Sequence, residues 1–488
     1  MKTDYKTEHL NTAENQGISL NAPSVAFYTL GCKTNQLETA TLANQFKALG
    51  WQIADFNDAA DLFVINTCTV TERSDLEAQR IIRRARLSNP SAKIAVTGCY
   101  TQIAPEAVAK QKGVNYVIGN NFKDQLATWV DDDIRSGSPQ SQLVQVSEID
   151  KSRIMVGATE AALDRTRASL KIQDGCDYKC TYCIIWKARG KSRSLPASDV
   201  ETQLQRLIDE GFKEVVLTGI NIGQYLDETT TKHIDLAKLL NRLVALPGNF
   251  RLRLSSLDPM EVDTPLIESI AGSAGKICPH IHLSAQSAND VVLKHMARRH
   301  HVRDFQRVCH QIQSLIPGAC VGSDIIVGFP GETDTFFQET INVIENLPLH
   351  YCHVFSYSKR QGTPAAVMTG QISESVKKKR ANQLRALSSK KMRLFIQSKI
   401  DSAAFQSVLV ESNGQSGLSQ HYLRFQFAPG VVFPPNSLQT CLIKTPLTTE
   451  TPLNNTVLGE TLSLHEEEIA LEQPAFNQKL LNEKIIGQ

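Results

Sequence analysis

Gly175-Cys176-Asp177-Tyr178-Lys179-Cys180-Thr181-Tyr182-Cys183 is a CxxxCxxC run directly behind an apolar segment, Leu170 to Gln173, that reads as a buried strand. Three thiolates at this spacing can ligate three irons of a 4Fe-4S cluster and leave the fourth iron open to a non-protein ligand. A zinc site built from three cysteines would lack its fourth closing ligand. Three unrelated structural thiols are the remaining alternative. Spacing and strand-end placement together favour the cluster.

Working outward, five more strand candidates follow at Glu214 to Leu217, Phe250 to Leu254, Ile281 to Leu283, Ser323 to Val327 and His353 to Phe355. Six βα units predict an open (βα)6 partial TIM barrel, in which chemistry gathers at the carboxyl ends of the strands. Upstream, Val25 to Leu30, Leu62 to Ile65, Ile94 to Val96 and Tyr116 to Ile118 read as strands. Helices at Gln36 to Leu49 and Glu72 to Arg86 lie between them, so an amino-terminal parallel βα sheet is expected. Downstream, Gln406 to about Ser463 has short Val, Leu and Phe-rich segments between turn residues, which suggests a small β-barrel. The expected organisation is a disordered leader 1–23, a sheet domain 24–135, a linker 136–165 around Ser-Gly-Ser-Pro, a barrel domain 166–395, a β-domain 396–463 and a polar tail 464–488.

The 488 residues suit about three domains. The polar, mixed-charge start fits neither a secretory signal nor an anchor, and no stretch approaches the roughly 20 apolar residues of a membrane helix. A cytoplasmic protein without a membrane partner is therefore expected. A net charge of +2 says nothing about substrate. Eleven cysteines in a chain without a signal peptide argue against a disulfide framework and for metal or thiolate chemistry.

Three further cysteines form a second constellation. Cys32, Cys68 and Cys99 each follow a strand candidate of the first alternation, so all three would meet at the carboxyl edge of one sheet, where ligands of open α/β sheets bind. Spacing alone leaves separate buried thiols open as an alternative. Cys278, Cys309, Cys320, Cys352 and Cys441 show no clustering and are assigned to packing.

The CxxxCxxC stretch resembles the radical S-adenosylmethionine (SAM) superfamily. There the open iron is chelated by SAM, whose cleavage gives a 5′-deoxyadenosyl radical. Leu217-Thr218-Gly219-Ile220-Asn221, Ser255-Ser256, Leu283-Ser284-Ala285-Gln286-Ser287 and Val327-Gly328-Phe329-Pro330-Gly331-Glu332 match the same pattern at successive strand ends. The resemblance implies SAM contacts at Gly219 and Gln286 and adenine packing by Tyr182. Thr29-Leu30-Gly31-Cys32-Lys33-Thr34-Asn35-Gln36, Asn66-Thr67-Cys68-Thr69-Val70 and Thr97-Gly98-Cys99 look like the signatures of the methylthiotransferase amino-terminal domain. In that family three such cysteines hold an auxiliary 4Fe-4S cluster carrying the sulfur to be transferred. One SAM methylates that sulfur and a second, cleaved at the Cys176, Cys180 and Cys183 cluster, activates the substrate carbon. The carboxy-terminal domain resembles the TRAM RNA-binding module, so the likeness covers about Val25 to Ser463.

Within the family, Gly31 to Thr39, Leu217 to Gly223 and His353-Val354-Phe355-Ser356-Tyr357-Ser358-Lys359-Arg360 look most like the threonylcarbamoyladenosine branch. The implied product is 2-methylthio-N6-threonylcarbamoyladenosine at tRNA position 37, with an electron donor such as flavodoxin or ferredoxin. The alternatives are methylthiolation of isopentenyladenosine in tRNA or of a ribosomal-protein aspartate. A non-catalytic metal- and RNA-binding protein is the reading from a different class. Two positions depart from the pattern: Trp186-Lys187 replaces Pro and an aromatic residue before Ala188-Arg189-Gly190, and Ala288 replaces a glycine. Trp lacks proline's fixed φ, so a differently shaped loop after Cys183 is expected, and Ala lacks glycine's freedom; both departures read as tolerated variations. Lys377 to Arg393 holds eight Lys or Arg in seventeen residues, suited either to phosphate neutralisation or to a solvated helix face. Arg189, Lys191 and Arg193 either guide an anionic backbone or are exposed loop charges, and Tyr422, Phe425 and Phe427 either stack bases or pack a core.

Overall fold

The computed structural model describes residues 22–137, 142–149, 166–446 and 456–461. The expected leader up to 21, most of the linker and the tail from 464 lie outside the described residues. The chain divides into two compact units, one up to Met392 and one from Arg393.

The first unit begins with a six-stranded parallel sheet ordered Gln52–Ala54, Ser24–Thr29, Leu62–Thr67, Lys93–Gly98, Tyr116–Ile118 and Leu143–Gln145. The sequence pattern identifies the four middle strands. The short edge strands escape it because they are partly exposed and lack the buried apolar run that marks the equally short Tyr116–Ile118. Leu143–Gln145 falls inside the stretch 136–165 expected as linker, and pairs in register with Tyr116–Ile118. Leu62–Thr67 is buried along its whole length. Its alternate residues serve opposite layers: Leu62 and Val64 pack with Leu42, Phe46 and Val130, while Phe63 and Ile65 pack with Ala78, Ile81 and Ile82.

Six parallel strands then form an arc of two three-stranded sheets. Ala168–Lys171, Glu214–Thr218 and Arg251–Leu254 make one, and His280–Gln286, Cys320–Val327 and Tyr351–Ser356 the other. The bridges Leu252 to Ile277 and Leu257 to Leu283 connect them. Helices cover the outer face. The Leu236–Val244 helix, for example, buries Leu236, Leu239, Leu240 and Leu243 at helical spacing, and Asp235 caps it by accepting from Lys238 N at 2.9 Å. This is the open six-unit barrel that the sequence predicts. In the second unit, Gln406–Val410, Ser416–Ser419, Arg424–Phe427, Thr456–Thr461 and Leu438–Pro446 close into a barrel around Val408, Leu418, Phe425 and Val457.

Sheet and barrel are joined by buried charge. Glu38, on the Lys33–Ala48 helix, accepts from Lys123 at 2.5 Å, from Lys171 of the first barrel strand at 3.2 Å, and from both terminal nitrogens of Arg189. Arg189 also donates to Asn35 at 2.5 Å, and Lys171 lies 3.4 Å from Asp174. Burial alone would raise Glu38, yet Arg189, Lys123 and Lys171 hold it well below the usual carboxylate range. On the other side, Arg360 pairs with Asp75 at 2.5 Å and bonds Thr69. Replacing one member of a buried ion pair strands its partners, at a cost of about 3–5 kcal/mol. Glu38→Gln is therefore expected to lower the unfolding free energy, read from urea melts, by that much. An effect under about 1 kcal/mol would mean that the network does not hold the domains together.

Candidate active site

The carboxyl edge of the sheet is laced by side chains from the three cysteine signatures. Asn35 Nδ2 donates to Leu30 O at 2.8 Å and Thr67 O at 3.0 Å, tying together the strand ends that precede Cys32 and Cys68. Thr67 Oγ1 donates to Thr97 O at 2.5 Å, bringing in the strand that precedes Cys99. Gly31 sits at φ +103, where a Cβ would lie 2.7 Å from both Cβ and Sγ of Cys68. Gly98 at φ +99 leaves only 2.3 Å to Thr67 O. Glycine is required at both positions, by conformation and by space. Burial raises the Cys68 thiol to about 12, with Cys99 and Cys32 adding to the rise, and burial likewise raises Cys99. The buried thiols of Cys68 and Cys99, which resist ionisation by themselves, suit a cationic iron centre, whose charge draws off their protons.

The second trio follows the first barrel strand. Cys180 is buried, while Cys176 and Cys183 are partly open. Tyr178 N donates to Cys176 Sγ and Ile185 N to Cys183 Sγ, both at 3.4 Å, and Arg298 Nη1 lies 3.6 Å from Cys180 Sγ. Burial pushes Cys176 up to about 12 and Cys183 up to about 11. Such N–H to sulfur contacts are what a cluster's sulfurs receive. Among the described residues, Ser255 Oγ and Arg298 Nε are buried without a hydrogen-bond partner, as a polar ligand beside this trio would require.

Gly219 stands at the end of the second barrel strand, where a Cβ would meet Gln173 Oε1 at 2.7 Å. Gln286 ends the fourth strand at φ +71, a left-handed conformation rare outside glycine. Tyr182 packs edge-on to Phe329 with ring centres 6.4 Å apart, in a cluster with Val292, Met296 and Tyr357. Sequence reasoning missed Arg298, which also bonds Asp258 and donates to Ser284 O at 2.6 Å. It missed the partners of Glu38 as well. No period or motif singles out such residues, because their partners lie tens of residues away.

Four expectations are settled by packing. Arg189 and Arg193 are not exposed guides for an anionic backbone: both side chains are buried, Arg189 in the Glu38 network and Arg193 3.5 Å from Asp174. The basic run is neither wholly free for phosphate nor merely solvated. In the Glu374–Asp401 helix, Arg380 pairs with Glu332 and Asp334, both at 2.7 Å, and Lys391 donates to Glu345 O and Leu347 O, which docks the helix on the barrel. Phe425 and Phe427 are core residues of the small barrel. The five unclustered cysteines are all buried. Of the departures, Ala288 has no left-handed φ and is buried, so the missing glycine costs nothing. Trp186 lies in a short helix, Ile185–Arg189, and its N–H adds a second backbone donor to Cys183 that proline would lack.

A six-strand barrel with a cysteine trio behind its first strand, joined to a sheet with a second trio at its carboxyl edge, fits the radical SAM class of protein. Residues 170–344 match the Radical SAM superfamily, and residues 24–119 match Uncharacterized protein family UPF0004. Threonylcarbamoyladenosine tRNA methylthiotransferase MtaB of Bacillus subtilis (strain 168) is 42% identical over 367 residues, 75% of this chain and 80% of that protein. The Aquifex aeolicus (strain VF5) protein of the same name is 37% identical over 80% of this chain and 93% of its own length. A tRNA-2-methylthio-N(6)-dimethylallyladenosine synthase of Natranaerobius thermophilus is 31% identical over 73% of this chain and 80% of its own. The radical SAM methyltransferase TsrM of Kitasatospora setae superimposes with a TM-score of 0.52 over 71% of this chain and 77% of that one, at 15% identity, a likeness of fold alone. The chain belongs to the radical SAM methylthiotransferase family, whose cofactors are SAM and 4Fe-4S clusters.

Gly31→Ala should displace Cys68 through the Cβ collision and strand its backbone at positive φ. The expected outcome after anaerobic reconstitution is loss of about half the iron and sulfide, with SAM cleavage retained. Full iron content in this variant would show that the Gly31 contact does not shape the sheet-edge site.

Proposed function

We propose that this enzyme methylthiolates N6-threonylcarbamoyladenosine at position 37 of tRNA. In this reading Cys32, Cys68 and Cys99 hold an auxiliary 4Fe-4S cluster, and Cys176, Cys180 and Cys183 hold the SAM-binding cluster. The observation that carries it is the direct tie between the trios: Arg189, six residues past Cys183, bonds Asn35 and Glu38 on the helix that starts behind Cys32. Two separate sulfur sites fixed on one rigid unit are what a reaction joining a sulfur centre to a radical centre requires. The threonylcarbamoyladenosine branch is favoured by identities of 36–42% to relatives of that name, against 31–32% to the dimethylallyladenosine synthases.

When bound, the clusters and SAM supply one-electron chemistry and the methylthio group, and the protein contributes ligation and placement. Gly219 and Gln286 line the strand ends where SAM is to lie, with Tyr182 beside them as the adenine's packing surface. Arg298, held by Asp258 and Ser284 O, carries a positive charge against Cys180 that offsets the negative charge of a thiolate-bound cluster. The closed barrel from Gln406 onward is the proposed TRAM-like RNA-binding module. Among the described residues no helix is long and apolar enough to cross a membrane. A cytoplasmic site of action and a flavodoxin or ferredoxin electron donor complete the proposal.

The test is anaerobic turnover with hypomodified tRNA carrying either threonylcarbamoyladenosine or dimethylallyladenosine, read by mass spectrometry of nucleosides. Methylthiolation of the former alone is expected. The Cys32, Cys68 and Cys99 triple change to Ala should keep SAM cleavage and about half the iron while abolishing methylthio transfer. Product only from the second tRNA, or from neither, would overturn the substrate assignment. Unchanged iron in the triple variant would overturn the auxiliary cluster.

A further inference from the structure

Inside the barrel, three adjacent strands bring together two histidines and an aspartate that belong to neither cysteine trio. His282, Asp324 and His353 offer ligand atoms that all lie within 4.8 Å of one another. His282 Nε2 is 2.9 Å from Asp324 Oδ1, and His353 Nδ1 is 3.4 Å from the same oxygen. Strand pairing fixes this placement, since Asp324 pairs with His353 and His282 pairs with Gly322, two residues before Asp324. Their sequence neighbours Ile281, Leu283, Ile325, Cys352 and Val354 belong to the apolar core under the helices. By alternation the three polar residues therefore face the barrel interior.

We infer that His282, Asp324 and His353 form a binding site for a divalent first-row transition metal, distinct from the two iron-sulfur sites. Two ligands each about 2.1 Å from a metal stand about 3.0 Å apart in octahedral and about 3.4 Å apart in tetrahedral geometry. The 2.9 Å separation corresponds to the first spacing and the 3.4 Å separation to the second, and the remaining pair lies within 4.8 Å, so a small adjustment of the two rings brings all three atoms onto one ion. Two imidazoles and one carboxylate suit Mn2+, Fe2+ or Zn2+ and leave positions open for water or an oxygen ligand. Asp324 and His353 keep 22% and 35% of their side-chain surface accessible, so the open positions can be reached from solvent.

The supporting shell is that of a ligand histidine. The second ring nitrogen of His282, Nδ1, lies 2.9 Å from the Tyr351 hydroxyl, which also lies 2.8 Å from His280 Nε2. Metal-bound histidines are oriented through their other nitrogen in this way. Gly322 makes room for Tyr351, since a Cβ there would lie 2.1 Å from its ring. The ion pairs that reach Asp324 come from His282 and His353.

The test uses the reconstituted holoenzyme with SAM bound and its clusters oxidised to the diamagnetic state, titrated with Mn2+ and followed by loss of the free Mn2+ electron paramagnetic resonance signal. One Mn2+ bound per chain and displaced by Zn2+ is the expected result. Asp324→Asn and His282→Ala should abolish binding with cluster iron unchanged. Tyr351→Phe, which keeps the ring against Gly322, should weaken binding about tenfold. Absence of stoichiometric binding to the intact holoenzyme would overturn the site, as would binding that survives both ligand substitutions. Should either ligand variant lose its clusters or its circular dichroism, the intact protein and Tyr351→Phe still decide the outcome.

Discussion

The joint between sheet and barrel depends on Glu38 being ionised in a buried position. Three cations, one from the sheet domain and two from the barrel, converge on that single carboxylate. Asp174 shares Lys171 and Arg189 with it, and the buried carboxylates and cations offset one another's desolvation. Charge thus does here what an apolar interface could not do as sharply: it fixes one register between two domains. Arg189 links this register to chemistry, because the loop that carries it begins at Cys183. A shift of the sheet against the barrel would break bonds to Glu38 and Asn35 before it changed the distance between the cysteine trios.

The same economy appears at the strand ends. Gly31 and Gly98 each precede a cysteine, and each has a backbone conformation and a neighbour that exclude a side chain. Asn35, Asn66 and Thr67 then close the edge by bonding main-chain groups of neighbouring strand ends and of the helix behind Cys32, with Asn66 Nδ2 donating to Asn35 O at 2.9 Å. The signatures around Cys32, Cys68 and Cys99 therefore do more than supply thiols. Their polar residues hold three loops in one place, so that thiols from distant parts of the sequence converge.

This explains what could be read from the sequence and what could not. Strand cores such as Leu62 to Ile65 and Ile281 to Leu283 announce themselves by apolar runs, and the cysteines behind them follow from position. Edge strands of three residues, such as Leu143–Gln145, carry too little pattern. Charge misleads more seriously: Arg189, Arg193 and Arg380 look like surface residues in the sequence, yet each is buried against a carboxylate that only the fold brings near. Local composition cannot separate a cation meant for phosphate from one meant for Glu38. His282, Asp324 and His353 were invisible as a group for the same reason, since strand register alone makes them neighbours.

The departure at Trp186 illustrates how much local variation this frame absorbs. Proline at that position would fix φ but offer no hydrogen, whereas Trp186 turns its N–H toward Cys183 in concert with Ile185. Its ring lies near Lys179 and Lys187, 5.4 and 5.3 Å from their ammonium groups. Hydrogen bonds to a cluster's sulfurs raise its reduction potential by stabilising the added electron, so under the proposed ligation by Cys183 the exchange would tune that site. Three residues further on, the loop still delivers Arg189 to Glu38. The domain register is therefore insulated from a change in the hydrogen bonding of Cys183.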